Sequence, residues 1–248
     1  MRNRETEYKI LENRLIGANT AMMRIEGAVS EFTAPGQFVN VLVPGLELRR
    51  PISVCDIEGN VITLVYDIVG KGTERMSEMK EGERVDILPA LGNGFDISKC
   101  GESPVLLGGG VGCPPIYALA KALLEKGVLP TVILGFNSED RMMMIEHFEH
   151  LDIPFHVATL DGSYGVKGYV TDVIEREGLK PDYFYACGPL PMLKALCTSL
   201  DIPGQVSLEA RMGCGFGICV CCSLETKNGP KRICKEGPVF ETNELIWK

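Results

Sequence analysis

Five of the ten cysteines fall in the last 35 residues: Cys214, Cys219, Cys221, Cys222 and Cys234. Cys214, Cys219 and Cys222 stand in a C-x4-C-x2-C spacing, and eleven residues separate Cys222 from Cys234. Four thiolates at these intervals match the plant-type arrangement that holds two irons and two inorganic sulfurs. Gly213, Gly215 and Gly217 alternate through the first interval, where backbone must approach sulfur closely and turn its N–H groups inward. A structural zinc or a set of disulfides is the alternative. Cys221, next to Cys222, leaves the choice of third ligand open.

Two further constellations suit phosphate and ring-system binding. Arg49-Arg50-Pro51-Ile52-Ser53 is followed by Val65-Tyr66-Asp67 and then by Gly70-Lys71-Gly72-Thr73. A helix beginning at Gly72-Thr73 would turn free N–H groups and a positive dipole end towards a pyrophosphate, and Arg50 would add a permanent cation. Ser53 is placed to reach a flavin ring nitrogen, and Tyr66 to stack on the ring or on an adenosine. Read alone, the arginine-proline pair is an edge-strand surface feature. The other constellation is Gly108-Gly109-Gly110-Val111-Gly112 between an apolar strand and a helix opened by Pro114-Pro115. Its spacing departs from G-x-G-x-x-G because Cys113 stands where the third glycine would be. Cys187-Gly188-Pro189 ends another strand on the same ligand-binding edge. The Gly92-Asn93-Gly94 turn is read as a turn, and Met142-Met143-Met144 as helix core. His147, His150 and His156 do not have metal-site spacing. No acid–base machinery is evident, which suits chemistry carried by cofactors.

Two kinds of element must position these groups. From about Tyr8 to Leu88, short runs rich in valine, isoleucine and aromatics are punctuated by turn residues, with a hairpin turn at Glu58-Gly59-Asn60; closure into an antiparallel β-barrel would remove the edges. After Asp96, strands alternate with helices, which predicts right-handed crossovers and a doubly wound parallel α/β sheet. The expected strands are Val105–Leu107, Thr131–Phe136, Pro154–Thr159, Tyr183–Cys187 and Gln205–Leu208. The expected helices are Pro114–Glu125, a Ser138-capped helix to about His150, Thr171–Glu177 and Leu190–Leu200. From Glu209 the chain is glycine- and cysteine-rich with neither periodicity. The expected division is therefore 1–97, 98–208 and 209–248.

The 248 residues leave room for two compact units and an appendage at about 150 residues per domain. A net charge of −8 disfavours nucleic acid and anionic membrane as partners. The start, MRNRETEYKI, has no apolar segment of the signal-peptide kind. Residues 103–120 carry no charge, but Gly108, Gly109, Gly110, Gly112, Pro114 and Pro115 would break a membrane helix. The expectation is a cytoplasmic protein.

The order of these motifs resembles the ferredoxin reductase-like flavoproteins. SLEARMGCGFGICVCC followed by CKEGPVF is more closely similar to the electron-transfer subunits of type B dihydroorotate dehydrogenases. The resemblance spans nearly the whole chain and implies an FAD-binding barrel, an NAD-binding α/β unit and a 2Fe-2S tail. It implies flavin contacts at Arg50, Pro51, Ile52, Ser53, Val65, Tyr66, Asp67, Gly72 and Thr73. It also implies NAD contacts at Gly110, Gly112 and Cys187, and cluster ligands Cys214, Cys219, Cys222 and Cys234. The implied partner is an FMN-containing catalytic subunit that oxidises dihydroorotate, in a heterotetramer with two of each subunit. Electrons would pass singly through the cluster to FAD, which would deliver hydride to NAD in pyrimidine biosynthesis. Two alternatives stand beside it: the small subunit of an NADH-dependent ferredoxin or sulfide oxidoreductase, and a non-enzymatic interaction module with a zinc-loaded tail.

Overall fold

A computed structural model of the chain describes residues 6–247. Residues 1–5 and 248, which hold half of the charged N-terminal stretch and the outermost ends of the first and last expected units, lie outside the described residues.

Six strands form a closed barrel: β1 (Glu7–Leu15), β2 (Thr20–Glu26), β3 (Phe38–Val41), β4 (Arg50–Glu58), β5 (Val61–Asp67) and β6 (Arg84–Leu91). Their order is β1-β2-β5-β4-β3-β6 and every pairing is antiparallel. Alternation drives the closure, because β6 buries every second residue and Tyr8, Ile10, Met23, Ile25, Ile62 and Leu64 meet inside. The expected hairpin is present: Glu58 pairs with Val61 across Gly59-Asn60, and Gly59 takes the left-handed φ of 61° that such a turn needs. Helix α1 (Lys71–Glu78) connects β5 to β6. It begins at Lys71, not at Gly72-Thr73, so those two residues lie within its first turn.

The second body is a seven-stranded sheet of order β10-β9-β8-β7-β11-β12-β15. Its strands are β7 (Pro104–Gly109), β8 (Thr131–Phe136), β9 (Phe155–Thr159), β10 (Val166–Lys167), β11 (Tyr183–Cys187), β12 (Gly204–Ser207) and β15 (Val239–Glu241). All run parallel except β15, which pairs antiparallel with β12. Helices α2 (Cys113–Glu125) and α3 (Ile145–Glu149) pack on one face; α4 (Val170–Arg176) and α5 (Leu190–Ser199) pack on the other. Every residue of β7 is buried because both faces are covered. The charge-free run at 103–120 becomes β7, a tight glycine turn and the first half of α2. That helix ends as expected, with Gly127 at φ 76° beyond Lys126.

Two sequence expectations are corrected. The helix expected from Ser138 to His150 is a single helical turn at Glu139–Arg141, then extended chain, then the five-residue α3. Met144 takes a left-handed φ of 61° as Met143 and Met144 turn into the core, and the Ser138 hydroxyl bonds Asp140 instead of capping a helix. The tail is also more regular than expected. It forms a hairpin, β13 (Ser223–Thr226) with β14 (Gly229–Arg232), before β15 joins the main sheet. The hairpin is polar and half-exposed, and the partner of β15 is remote in sequence, so local periodicity carries no sign of either.

Candidate functional site

The β4–β5 ladder runs from Glu58–Val61 to Val54–Leu64 and stops there. Beyond it, Arg50–Ser53 continue against β3 while Val65–Asp67 continue against β2. The facing edges of these two segments diverge into a cleft whose backbone groups no strand pairs, and α1 starts at its end. Arg49 turns away, bonding Asp86 at 2.7 Å and the carbonyl of Asn40. Arg50 instead lies across the first turn of α1. A Cβ built on Gly72 would stand 1.9 Å from Arg50 Nε, so only glycine admits the guanidinium there. Thr73 shapes the turn, its hydroxyl accepting from Val69 N–H at 2.9 Å and donating to the carbonyl of Gly70 at 3.1 Å. Gly70 provides no side-chain cap. The first-turn N–H groups and a guanidinium thus converge as a diphosphate requires.

Strand parity sorts the other expected flavin contacts. Ile52 and Tyr66 point into the barrel core, and the Tyr66 hydroxyl donates to Asn13 Oδ1 at 3.2 Å. The ring stacking expected of Tyr66 is therefore corrected: its ring is 2% exposed and only its backbone borders the cleft. Pro51 and Ser53 point outward, and Val65 joins the core between barrel and α/β unit. Asp67 accepts from Thr20 at 2.7 Å.

The second site lies where the strand order reverses, between the carboxyl ends of β7 and β11. Gly108 pairs with Cys187 there. A Cβ on Gly112 would stand 2.2 Å from the carbonyl oxygen of Cys187, and one on Gly109 would strike Met192 and Pro189. The glycine turn and the Cys187-Gly188-Pro189 turn therefore lie in backbone contact. Gly110, at φ 52°, has open space where a side chain would be. Cys113 replaces a third glycine without disturbing the turn: it is the first residue of α2, wholly buried, and makes the close strand–helix contact against Gly108. Burial raises its thiol pKa well above the ordinary value, and burial together with Glu209 pushes Cys187 up to about 12, so neither is a reactive thiolate. The Gly110–Gly112 turn abuts β5, which brings the nucleotide edge against the flavin cleft. Glu209, which the sequence analysis did not single out, opens to solvent at this junction. Its carboxyl is nevertheless walled by protein, and that burial, with Asp67 nearby, raises its pKa.

The third site is the cysteine tail. The N–H groups of Ile218 and Cys219 point at Cys214 Sγ from 3.3 and 3.5 Å, and Cys214 N–H points at Cys219 Sγ from 3.4 Å. Burial opposes ionisation of Cys214, yet the N–H groups of Cys219, Phe216 and Ile218 bring its thiol down to about 6. Cys234 N–H points at Cys222 Sγ from 3.4 Å; both residues are buried, and burial beside Cys222 pushes Cys234 up to about 12. The four thiols form two pairs, Cys214 with Cys219 and Cys222 with Cys234. Among the described residues no three His, Cys, Asp or Glu side chains converge on one ion. Two pairs suit two irons with two thiolates each, whereas a structural zinc needs all four at one point. Cys221 is exposed, and its Sγ donates to the carbonyl of Arg211 at 3.7 Å instead of joining either pair. Gly215 and Gly217 hold φ of 79° and 89°, and the carbonyl of Gly217 accepts from Arg232 at 2.6 Å. The three histidines take no part.

Comparison with known proteins agrees with this arrangement. Residues 209–246 match the iron–sulfur cluster binding domain of dihydroorotate dehydrogenase B, and residues 106–198 match the oxidoreductase NAD-binding domain. The dihydroorotate dehydrogenase B (NAD(+)) electron transfer subunit of Geobacillus sp. (strain WCH70) is 41% identical, covering 98% of this chain and 99% of its own. That of Fusobacterium nucleatum subsp. nucleatum is also 41% identical, over 94% of this chain and 95% of its own. Among solved structures, an NADH-dependent reduced ferredoxin-NADP oxidoreductase superposes with a TM-score of 0.89 at 31% identity, covering 100% of this chain and 92% of that one. An Amycolatopsis cytochrome P450 reductase, at 22% identity and a TM-score of 0.67 over 76% of this chain and 62% of its own, shares the fold alone. With two-cofactor architecture and paired thiols carried at this identity over nearly its full length, the chain belongs to the family of dihydroorotate dehydrogenase B electron transfer subunits.

Proposed function

We propose that this chain is the electron transfer subunit of an NAD-linked dihydroorotate dehydrogenase in pyrimidine biosynthesis, holding FAD in the barrel, a 2Fe-2S cluster in the tail and NAD as the diffusible partner. The observation that carries the reading is the meeting of three sites at one junction. The glycine turn rests on β5, and Asn40, directly across β3–β4 from Pro51, donates to the carbonyl of Cys214 at 3.2 Å. When bound, the flavin supplies the exchange between hydride and one-electron chemistry, and the cluster supplies a one-electron relay.

The residues have separable tasks. Arg50, Gly72 and Thr73 hold the diphosphate; Pro51, Ser53, Val65 and Asp67 border the ring system, with Ile52 and Tyr66 contributing backbone. Gly110, Gly112 and Cys187 shape the nicotinamide crevice. Cys214, Cys219, Cys222 and Cys234 are the cluster ligands, and units 1–97, 98–208 and 209–248 divide the work, with β15 of the last completing the nucleotide sheet. The partner is an FMN-containing catalytic subunit, two copies of each making the assembly. Phe216, Ile218 and Val220 support docking beside the cluster: they surround the cysteines and are 47%, 76% and 60% exposed. Ten unpaired cysteines fit the reducing cytoplasm, and among the described residues no helix is long and apolar enough to cross a membrane.

Anaerobically purified chain should contain flavin, iron and labile sulfide, reduce dyes with NADH, and oxidise dihydroorotate only when an FMN subunit is added. Dihydroorotate oxidation by the chain alone would overturn the division of labour. The likeness to the NADH-dependent reduced ferredoxin-NADP oxidoreductase favours a second reading, in which the partner is a ferredoxin-dependent subunit. Transfer to ferredoxin without transfer from dihydroorotate would select it.

A further inference from the structure

Resting on that reading, we infer that Asn40 and Asn93 are positioning residues that suspend the two cysteine-bearing segments from the flavin barrel and thereby set the flavin-to-cluster geometry. Asn40 lies on β3 and is 1% exposed. Its Nδ2 donates to the carbonyl of Cys214 at 3.2 Å, while its Oδ1 is buried with no partner. A buried half-satisfied amide is costly, and a leucine of similar volume would avoid the cost. The bond to Cys214 is the one thing the asparagine side chain supplies here that leucine could not. The cysteine loop is shaped to receive it: Gly215 sits at φ 79°, and a Cβ there would stand 2.4 Å from Asn40 Nδ2. On the other side Asn40 is the cross-strand partner of Pro51, within the flavin segment, and its carbonyl accepts from Arg49 at 3.3 Å.

Asn93 repeats the device for the other thiol pair. It follows β6, which pairs with β3 through Phe38–Leu91. Its Nδ2 donates to the carbonyls of Lys235 and Glu236 at 3.3 and 3.1 Å, and its N–H donates to the carbonyl of Gly237 at 2.7 Å. These carbonyls follow directly on Cys234. Gly92 lets the segments close, because a Cβ there would stand 2.5 Å from Pro238 and 2.9 Å from Phe38. One cysteine of each pair is thus tied to adjacent barrel strands. The Gly92-Asn93-Gly94 turn, which reads in sequence as a turn and nothing more, is half of the mount.

The test compares Asn40→Leu, Asn93→Ala and the control Asn228→Ala, a hairpin residue with no tie to the barrel. Amide hydrogen exchange should rise about tenfold across residues 213–217 in N40L and across 234–237 in N93A, as loss of the side-chain hydrogen bonds predicts, and remain unchanged in N228A. In the loaded protein, FAD would supply two-electron exchange with NADH and the cluster a one-electron relay, so NADH-driven reduction would have a second step, from flavin to cluster. The rate of that second step, followed by the reduced-cluster EPR signal, should fall about tenfold or more in N40L when normalised to cluster content. Unchanged exchange in both variants would overturn the mount. Faster exchange with an unchanged electron-transfer rate would leave two structural hydrogen bonds and overturn the positioning role. Absence of iron and sulfide from the wild-type protein would instead sink the proposed function, while the exchange data would still judge the mount.

Discussion

Lys121 on α2 lies 2.7 Å from both carboxylate oxygens of Asp56 on β4 and 3.7 Å from Glu58. This ion pair bridges the barrel and the α/β unit. The side chains are 27% and 15% exposed, so the pair is partly shielded from solvent. Burial opposes the lysine charge, but the bond to Asp56 outweighs it and raises the pKa. The lysine therefore keeps its charge at neutral pH, and at the alkaline end its contribution is lost as pH rises through that raised value. Lys121→Met should lower the melting temperature by about 2–4 °C for each 1 kcal/mol lost. A double-mutant cycle with Asp56→Asn should return a coupling of about 1 kcal/mol. Additive effects in that cycle would mean that the bridge contributes nothing.

Gly72→Ala sets two effects against each other. Inside a helical turn, alanine is favoured over glycine by about 0.5–1 kcal/mol, so the flavin-free protein should be as stable as wild type or more so. The new Cβ must, however, displace Arg50 from the first turn of α1. Loss of one charge-assisted hydrogen bond should weaken FAD binding about tenfold to hundredfold. Flavin titration beside thermal unfolding of the flavin-free chain separates the two. Arg50→Ala should weaken FAD binding without the gain in stability.

The paired thiols predict unequal consequences for adjacent cysteines. Cys222→Ser and Cys214→Ser should abolish cluster absorbance, iron and labile sulfide while FAD is retained. Cys221→Ser should keep all three signals, because its sulfur faces the carbonyl of Arg211. Loss of iron from C221S with retention in C222S would reverse the ligand assignment.

Asp182 governs part of the acid limb of stability. Its carboxylate accepts from the N–H groups of Glu102 and Ser103 at 2.7 and 3.0 Å, and these bonds hold its pKa below the ordinary value. A depressed carboxylate stabilises the fold above its unfolded pKa and loses that contribution as pH falls through the folded one. Asp182→Asn should therefore lower stability at neutral pH and flatten its decline below about pH 4. Denaturant unfolding across pH checks this, and parallel curves for the two proteins would refute it.

Cysteine spacing made the tail's chemistry legible because intervals of four and two residues constrain sulfur positions wherever the rest of the chain lies. Choosing between Cys221 and Cys222 required three dimensions, since neighbouring residues differ only in which way the backbone turns them. The α/β unit was legible almost strand by strand, its central strands being short apolar runs bounded by glycine and proline. Tyr66 misled for the opposite reason. Its place in the flavin segment is visible in sequence, but the inward side of β5 is fixed by closure with β2, and that buries the ring. Met142-Met143-Met144 has helical composition, yet core packing draws Met144 into a left-handed conformation that propensity disfavours. Asn40 and Asn93 show no pattern, because each acts on carbonyls more than 140 residues away.

The last strand of the chain carries one more consequence. By pairing with β12, β15 closes a border of the nucleotide sheet with residues made after every cysteine. A truncation placed just before the cysteines would therefore do more than remove a redox centre. It would bare the ladder donors and acceptors of β12, the kind of border on which chains stack and precipitate. The redox appendage doubles as a seal, so loss of the tail and loss of a well-behaved nucleotide sheet should be inherited together.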